Sequence, residues 1–167
     1  MNLLVCPLHK VDQALRLWRP SHVISLSSPG SEQAMIAPGP ERLKLIFHDI
    51  PEPRPGFKSA SQDDVANLIA FARRWPRERP MLIQCWAGVS RSPAAAYVVA
   101  CALTATGQET RLARQLRTAA PFATPNPHVI ALADDALGRK GGMVDAITAI
   151  GRGAETSLGK TFHLSGF

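Results

Sequence analysis

Apolar residues follow two rhythms in this chain. Short apolar runs bounded by proline, glycine or polar clusters read as buried strands at Leu3 to Val5, His22 to Leu26, Leu43 to Phe47 and Met81 to Cys85. Elsewhere apolar positions recur at helical spacing, which predicts helices over about Lys10 to Trp18, Asp63 to Trp75, Pro93 to Thr106, Glu109 to Ala119, Pro127 to Leu137 and Met143 to Ile150. Strand and helix alternate as far as Cys85, and helices alone follow. That order predicts an α/β fold, with a central, mainly parallel sheet of about four to five strands flanked by helices. Ser27-Ser28-Pro29-Gly30 and Ala37-Pro38-Gly39-Pro40 are turn chemistry, and the segment between them is a candidate rim for a functional site. Met143, Ile147 and Ile150 share a face of the last helix, and from Gly151 on a weakly ordered tail is expected.

Composition narrows this picture. The chain has 167 residues, 46% of them hydrophobic, which suits one substantial core. Its longest apolar stretch, around Ala94 to Leu103, falls well short of a membrane span. Cys6, Cys85 and Cys101 show no framework spacing, and the apolar run Asn2 to Val5 is too short for a secretory leader before Pro7 ends it. A cytoplasmic, reducing setting is therefore expected. The formal charge of +6 favours an acidic or phosphorylated partner, but it is no signature of nucleic-acid binding, which is not expected. Arg73, Arg74, Arg77 and Arg79 around Trp75 read as a solvated helix end, and Arg111, Arg114 and Arg117 as a solvent-facing stripe. His9, His22, His128 and His163 lack metal-ligand spacing, so neither a metal nor another cofactor is expected.

The run Gln84-Cys85-Trp86-Ala87-Gly88-Val89-Ser90-Arg91-Ser92 changes the picture most. It sets a thiol and a fixed cation at the two ends of one loop, and the five residues between them can curl into a ring with inward N–H groups. Such a ring binds a tetrahedral oxyanion. The apolar strand before it and the helix that begins near Pro93 place the loop at a helix N-terminus, where amides and dipole favour both a bound anion and a thiolate. Gly88 permits backbone that a side chain would obstruct, Arg91 can grip two oxygens with its planar fork, and Ser92 can donate to the sulfur. The competing reading of Cys85 is a buried core cysteine.

Strand, loop and helix together resemble the signature of the cysteine-dependent phosphatases, the protein tyrosine and dual-specificity phosphatase superfamily. Its members carry His-Cys, five residues, then Arg and Ser or Thr. The resemblance covers roughly Asn2 to Gly138, and it implies a dual-specificity-phosphatase-like domain over 1–138 followed by a C-terminal helix and tail over 139–167. It further implies attack of a thiolate on phosphorus and hydrolysis of a phosphocysteine. Carried over, Cys85 is the nucleophile, Arg91 the phosphate clamp and Ser92 the hydroxyl that eases thiolate departure, while Trp86, Ala87, Gly88, Val89, Ser90 and Arg91 cradle the phosphate. The implied partner is a phosphorylated protein or small phosphomonoester. Gln84 stands where the family has histidine, a neighbour of the nucleophile whose change leaves open a slow enzyme or a non-catalytic phosphate-binding pseudophosphatase.

Asp49 is the candidate general acid, since it follows the Leu43 to Phe47 strand and precedes a proline-rich loop that can continue neither as strand nor as helix. A turn-capping aspartate is the competing reading. Asp63 and Asp64 read instead as the first turn of a helix capped by Ser61, and His48 as the filling of a strand end rather than the alternative, a residue that orients the loop. Asn126, in Ala123-Thr124-Pro125-Asn126-Pro127, resembles the family's asparagine that buttresses the Cys loop, and it equally suits the cap of the following helix. A rhodanese-type sulfurtransferase remains the third reading, because it too places a cysteine at the head of an anion-binding loop.

Overall fold

The computed structural model describes residues 2–31, 34, 36 and 38–167, so part of the candidate rim segment and Ala37 of the second turn lie outside the described residues. Four strands lie where apolar runs predict them: β1 (Asn2–Pro7), β2 (His22–Ser27), β3 (Glu41–Ile46) and β4 (Met81–Cys85). They are parallel to their neighbours, and a fifth, β5 (Phe162–Ser165), runs antiparallel to β1 in a sheet ordered β3-β2-β4-β1-β5. Every residue of β2 and β4 is buried, as parallel strands covered on both faces require.

Alternation along the strands sorts side chains to two helix layers. Leu4, Cys6, Val23 and Leu82 meet Val11 and Ala14 of α1 (Val11–Trp18) on one face. Leu3, Val5, Ile24, Met81 and Ile83 share the other face with the core side chains of α2 (Gln62–Arg74), α3 (Arg91–Ala102), α4 (Glu109–Ala119), α5 (Pro127–Ala136) and α6 (Gly142–Ile150). Helix α3 is the hub, buried at eleven of its twelve residues. Ala94, Ala95, Ala96 and Ala100 are fully buried on it, small enough for neighbours to approach from every side. Ser61 opens α2 with a reciprocal cap: its Oγ accepts the Asp64 N–H at 3.1 Å, and Asp64 Oδ2 accepts the Ser61 N–H at 2.9 Å.

The tail departs from its expectation of weak order. Phe162 and Leu164 of β5 are buried and pair in register with Val5 and Leu3, and the His163 ring meets Trp18 edge-on at 4.4 Å. The physical reason is the edge of β1, whose free N–H and C=O groups this strand satisfies. The predicted solvent stripe on α4 is also only part of the story. Arg111 and Arg114 are exposed, but Arg117 donates through Nη1 to Pro121 O (2.8 Å) and Ala123 O (2.9 Å) and through Nη2 to Gly151 O (2.6 Å). A second arginine anchors the region ahead of α6: buried Arg139 pairs with Glu109 Oε1 at 2.7 Å and donates to Cys101 O and Thr104 O. Among the described residues no helix is long and apolar enough to cross a membrane.

If the tail belongs to the fold, Phe162→Ala should lower the unfolding free energy by about 3 kcal/mol, as deletion of a buried aromatic does. Denaturant titration checks this; a loss below about 1 kcal/mol would show a tail that contributes little to the core.

Candidate active site

Cys85 ends β4 and Arg91 begins α3, so the loop between them sits at the carboxyl edge of the sheet, at the mouth where open α/β sheets bind ligands. Its backbone is held by carbonyl oxygens. Trp86 O accepts from Leu8 N at 3.1 Å, Ala87 O from Gly159 N at 2.8 Å and Val89 O from Thr124 N at 2.9 Å, while Ser90 O accepts from Asn126 N at 3.3 Å and Ala94 N at 3.0 Å. In a trans peptide the C=O of one residue and the N–H of the next point opposite ways, and no peptide bond among the described residues is cis. Drawing those carbonyls outward therefore turns the amides of Ala87, Gly88, Ser90 and Arg91 inward. Gly88 takes φ of 71°, and a Cβ there would come within 2.9 Å of Pro7 N, so both its conformation and its contact with β1 exclude a side chain.

The sulfur lies inside this ring. Cys85 Sγ accepts the Gly88 N–H at 3.3 Å and sits 3.1 Å from Ser92 Oγ, with Cys85 and Ser92 both buried. Helix α3 presents its first turn to the same point, which favours an anion there. Burial pushes the other two thiols up to about 12; the neighbouring Cys85 adds to the shift of Cys6, and at Cys101 the Tyr97 hydroxyl and Arg139 only partly oppose it.

Arg91 is 5% exposed. Its Nη1 donates to Phe47 O at 2.8 Å and to Ser28 Oγ at 3.1 Å, which fixes the guanidinium plane. Among the described residues its Nε is buried with no hydrogen-bond partner, and Asp49 Oδ2 lies 3.8 Å away. A buried cationic N–H without an acceptor is costly, and it is satisfied when an anion enters beside it.

Asp49 is brought to the loop as expected for a carboxylate on the strand-end segment, and it is tied there. Its Oδ1 accepts from Ser90 Oγ at 2.7 Å and from Asn126 Nδ2 at 2.8 Å. Asn126 Oδ1 caps α5 by accepting the Val129 N–H at 3.0 Å, its backbone N–H donates to Ser90 O, and its Nδ2 also donates to Ile50 O at 3.0 Å. Of the two readings of His48, the structure favours the one that orients the loop: Nδ1 accepts the Lys58 N–H at 3.0 Å and the His48 backbone N–H donates to Lys58 O at 2.7 Å, which closes the segment carrying Asp49. Trp86 is 60% exposed. Gln84 is buried and by strand alternation lies on the Cys6 and Leu82 face of the sheet, opposite Cys85. A hollow of about 250 Å³ opens between Asp49, Ser90, Thr124 and Asn126. The larger groove, about 710 Å³ along α4 and β5, brings Arg111 and Arg114 but neither nucleophile nor carboxylate.

Sequence reasoning missed Ser28, Phe47 O and the donors Leu8, Thr124 and Gly159. Only Ser28 carried a signal, as a hydroxyl in a tight turn at the end of β2; the others act through the backbone, where residue type says nothing.

Several solved structures resemble this chain. DUSP15 superposes with a TM-score of 0.59 at 19% sequence identity, covering 87% of this chain and 88% of that one. A mouse protein described as a dual specificity phosphatase, solved with zinc tungstate, gives 0.50 at 18% identity, covering 81% and 79%. The fold is that of the dual-specificity phosphatases. No protein-family model matches the chain, and no curated protein matches it.

Because the Cys6 and Cys101 thiols are pushed up to about 12 by burial, iodoacetamide near pH 8 should label Cys85 and leave the other two unmodified in the folded protein. Peptide mass spectrometry before and after unfolding checks this; labelling of Cys6 at the rate of Cys85 would contradict it.

Proposed function

We propose that this chain, on its dual-specificity-phosphatase fold, hydrolyses phosphate monoesters through a phosphocysteine intermediate, with phosphotyrosine protein as its substrate class. The observation that carries this reading is Arg91: a buried guanidinium fixed through Nη1, with Nε unpaired beside a ring of inward amides that surrounds a thiol. The fork, the ring and the α3 N-terminus match the three demands of a phosphoryl group, which are bidentate cation, amide donors and positive potential.

In the first step the Cys85 thiolate attacks phosphorus, the S–P bond forms and the P–O ester bond breaks. The departing oxygen takes a proton from the Asp49 carboxyl, for which Oδ2 is the available atom since Oδ1 is engaged by Ser90 and Asn126. In the second step water attacks phosphorus and gives its proton to the Asp49 carboxylate. The S–P electron pair returns to sulfur, where the Ser92 hydroxyl at 3.1 Å donates a hydrogen bond to the thiolate, and inorganic phosphate leaves.

A non-catalytic phosphate-binding module is the second reading. It is favoured by Gln84 at the position of the family's histidine, and by an Asp49 already held as an acceptor. A sulfurtransferase gains nothing from Ser92 at the sulfur or from Asp49 at the loop, and a thiosulfate assay tests it. The substrate class rests on the loop side chains. Trp86, Ala87 and Val89 add no cation for a multiply phosphorylated ring, whereas exposed Trp86 offers an aromatic surface to a phosphotyrosine side chain.

With an aryl phosphate, Cys85→Ser should abolish turnover while inorganic phosphate still binds; near-native hydrolysis would remove the nucleophile assignment. Asp49→Asn should lower kcat by about 100-fold for esters with poor leaving groups and far less for activated aryl phosphates, which need little protonation. Equal loss across that series would leave Asp49 a structural residue, and absence of turnover in the native protein with retained phosphate binding would favour the binding module. Between substrates, phosphotyrosine peptide should exceed phosphoinositide in kcat/KM, and the reverse order would overturn the choice of class.

A further inference from the structure

Beyond the loop residues themselves, we propose that Gly159 in the C-terminal tail is a positioning residue for the anion ring. The inference rests on the reading of that ring as a phosphate site. Gly159 N–H supplies the acceptor-satisfying bond to Ala87 O at 2.8 Å, and by peptide geometry that bond aims the Gly88 amide inward, toward the sulfur it reaches at 3.3 Å. The approach leaves no room for a side chain. A Cβ on Gly159 would lie 2.8 Å from Gly88 O, 3.2 Å from Ala87 O and 2.6 Å from the Phe122 ring.

The segment ahead of Gly159 is fastened at several points. Gly151 O is gripped by Arg117, Ala154 N donates to Pro121 O at 3.0 Å, and Gly153 N donates to Thr124 Oγ1 at 3.1 Å. Gly153 itself presses on the 122–123 backbone, where a Cβ would meet Phe122 O at 2.4 Å. After Gly159, Phe162 enters the core and meets the Phe122 ring edge-on, with centroids 6.2 Å apart. The tail is thus a strap pinned on both sides of Gly159. It braces two things together, the Cys loop directly and the 121–124 segment whose Thr124 N–H holds Val89 O. A residue buried in the tail, with its one amide spent on the catalytic loop and its missing Cβ spent on contact with two loop carbonyls, acts on the geometry of the anion site.

The test uses protection of Cys85 from iodoacetamide by inorganic phosphate in the full-length protein, read by mass spectrometry, which needs no turnover. Gly159→Ala should weaken phosphate protection about tenfold and raise KM for an aryl phosphate more than it lowers kcat, since the added methyl group displaces two loop carbonyls besides disturbing the hydrogen bond. Ser157→Ala, exposed on the same strap, should stay within about twofold of native, below the effect of one hydrogen bond. Where Gly159→Ala fails to give a cooperative melt, an amide-to-ester replacement at Gly159 removes the N–H without adding bulk, and about threefold weaker protection is then expected. Native-like protection in the folded alanine variant, or in the ester protein, overturns the proposal. So does a native protein that phosphate does not protect, an outcome that removes the phosphate site itself; protection without hydrolysis removes only the catalytic reading and leaves Gly159 in place.

Discussion

The site depends on where four carbonyl oxygens point. Peptide planarity couples each C=O to the N–H that follows it, so a ring of inward amides exists only if the carbonyls find donors outside the ring. Leu8 after β1, Gly159 in the tail, and Thr124 and Asn126 before α5 supply those donors, and they arrive from three separate stretches of chain. The sheet, α1, α5 and the tail are thereby joined through one loop. A displacement of any of them rotates a peptide plane and subtracts an N–H from the anion site.

Burial gives that arrangement its force. Arg91 lies at the start of a helix with almost no exposed surface, and among the described residues its charge is met by a carbonyl, a hydroxyl and a carboxylate at 3.8 Å. Taking a guanidinium out of water is expensive, and these contacts repay it incompletely. The shortfall is concentrated at Nε, which has no hydrogen-bond partner among the described residues. Binding of an oxyanion relieves it. Asp49 has the complementary position: Ser90 and Asn126 hold its carboxylate beside the Cys85–Arg91 loop and tie its own segment to α5.

Much of this was legible in the residues, in proportion to how contiguous it is. The thiol, the glycine, the arginine and the serine fall within one short run, and β4 and α4 occupy the spans their apolar spacing marks. Asp49 could be placed because a strand followed by prolines must end in a loop. β5 could not, since it is short and presents only Phe162 and Leu164 between polar residues, too little alternation to distinguish from coil. Arg117 gave the pattern of a solvated stripe because its partners are all backbone carbonyls, which no sequence displays. The same holds for the amides of Leu8, Thr124 and Gly159. His48 was undervalued for a related reason: its acceptor role is directed to the backbone of Lys58, across the loop it closes.

The bond from Gly159 to Ala87 also sets an order of events during biosynthesis. At the usual pace of translation, the roughly seventy residues that separate the two are added over several seconds, during which the Cys loop lacks first Thr124, Asn126 and Gly159 and then Gly159 alone among its four outside donors. Sheet pairing of β1 with β5 spans an even longer stretch and closes late, because the entropy of so large a loop must be overcome first. The nascent thiol therefore passes through that interval beside an incomplete ring, and the finished anion cradle is a property the polypeptide acquires only after the strap has been made.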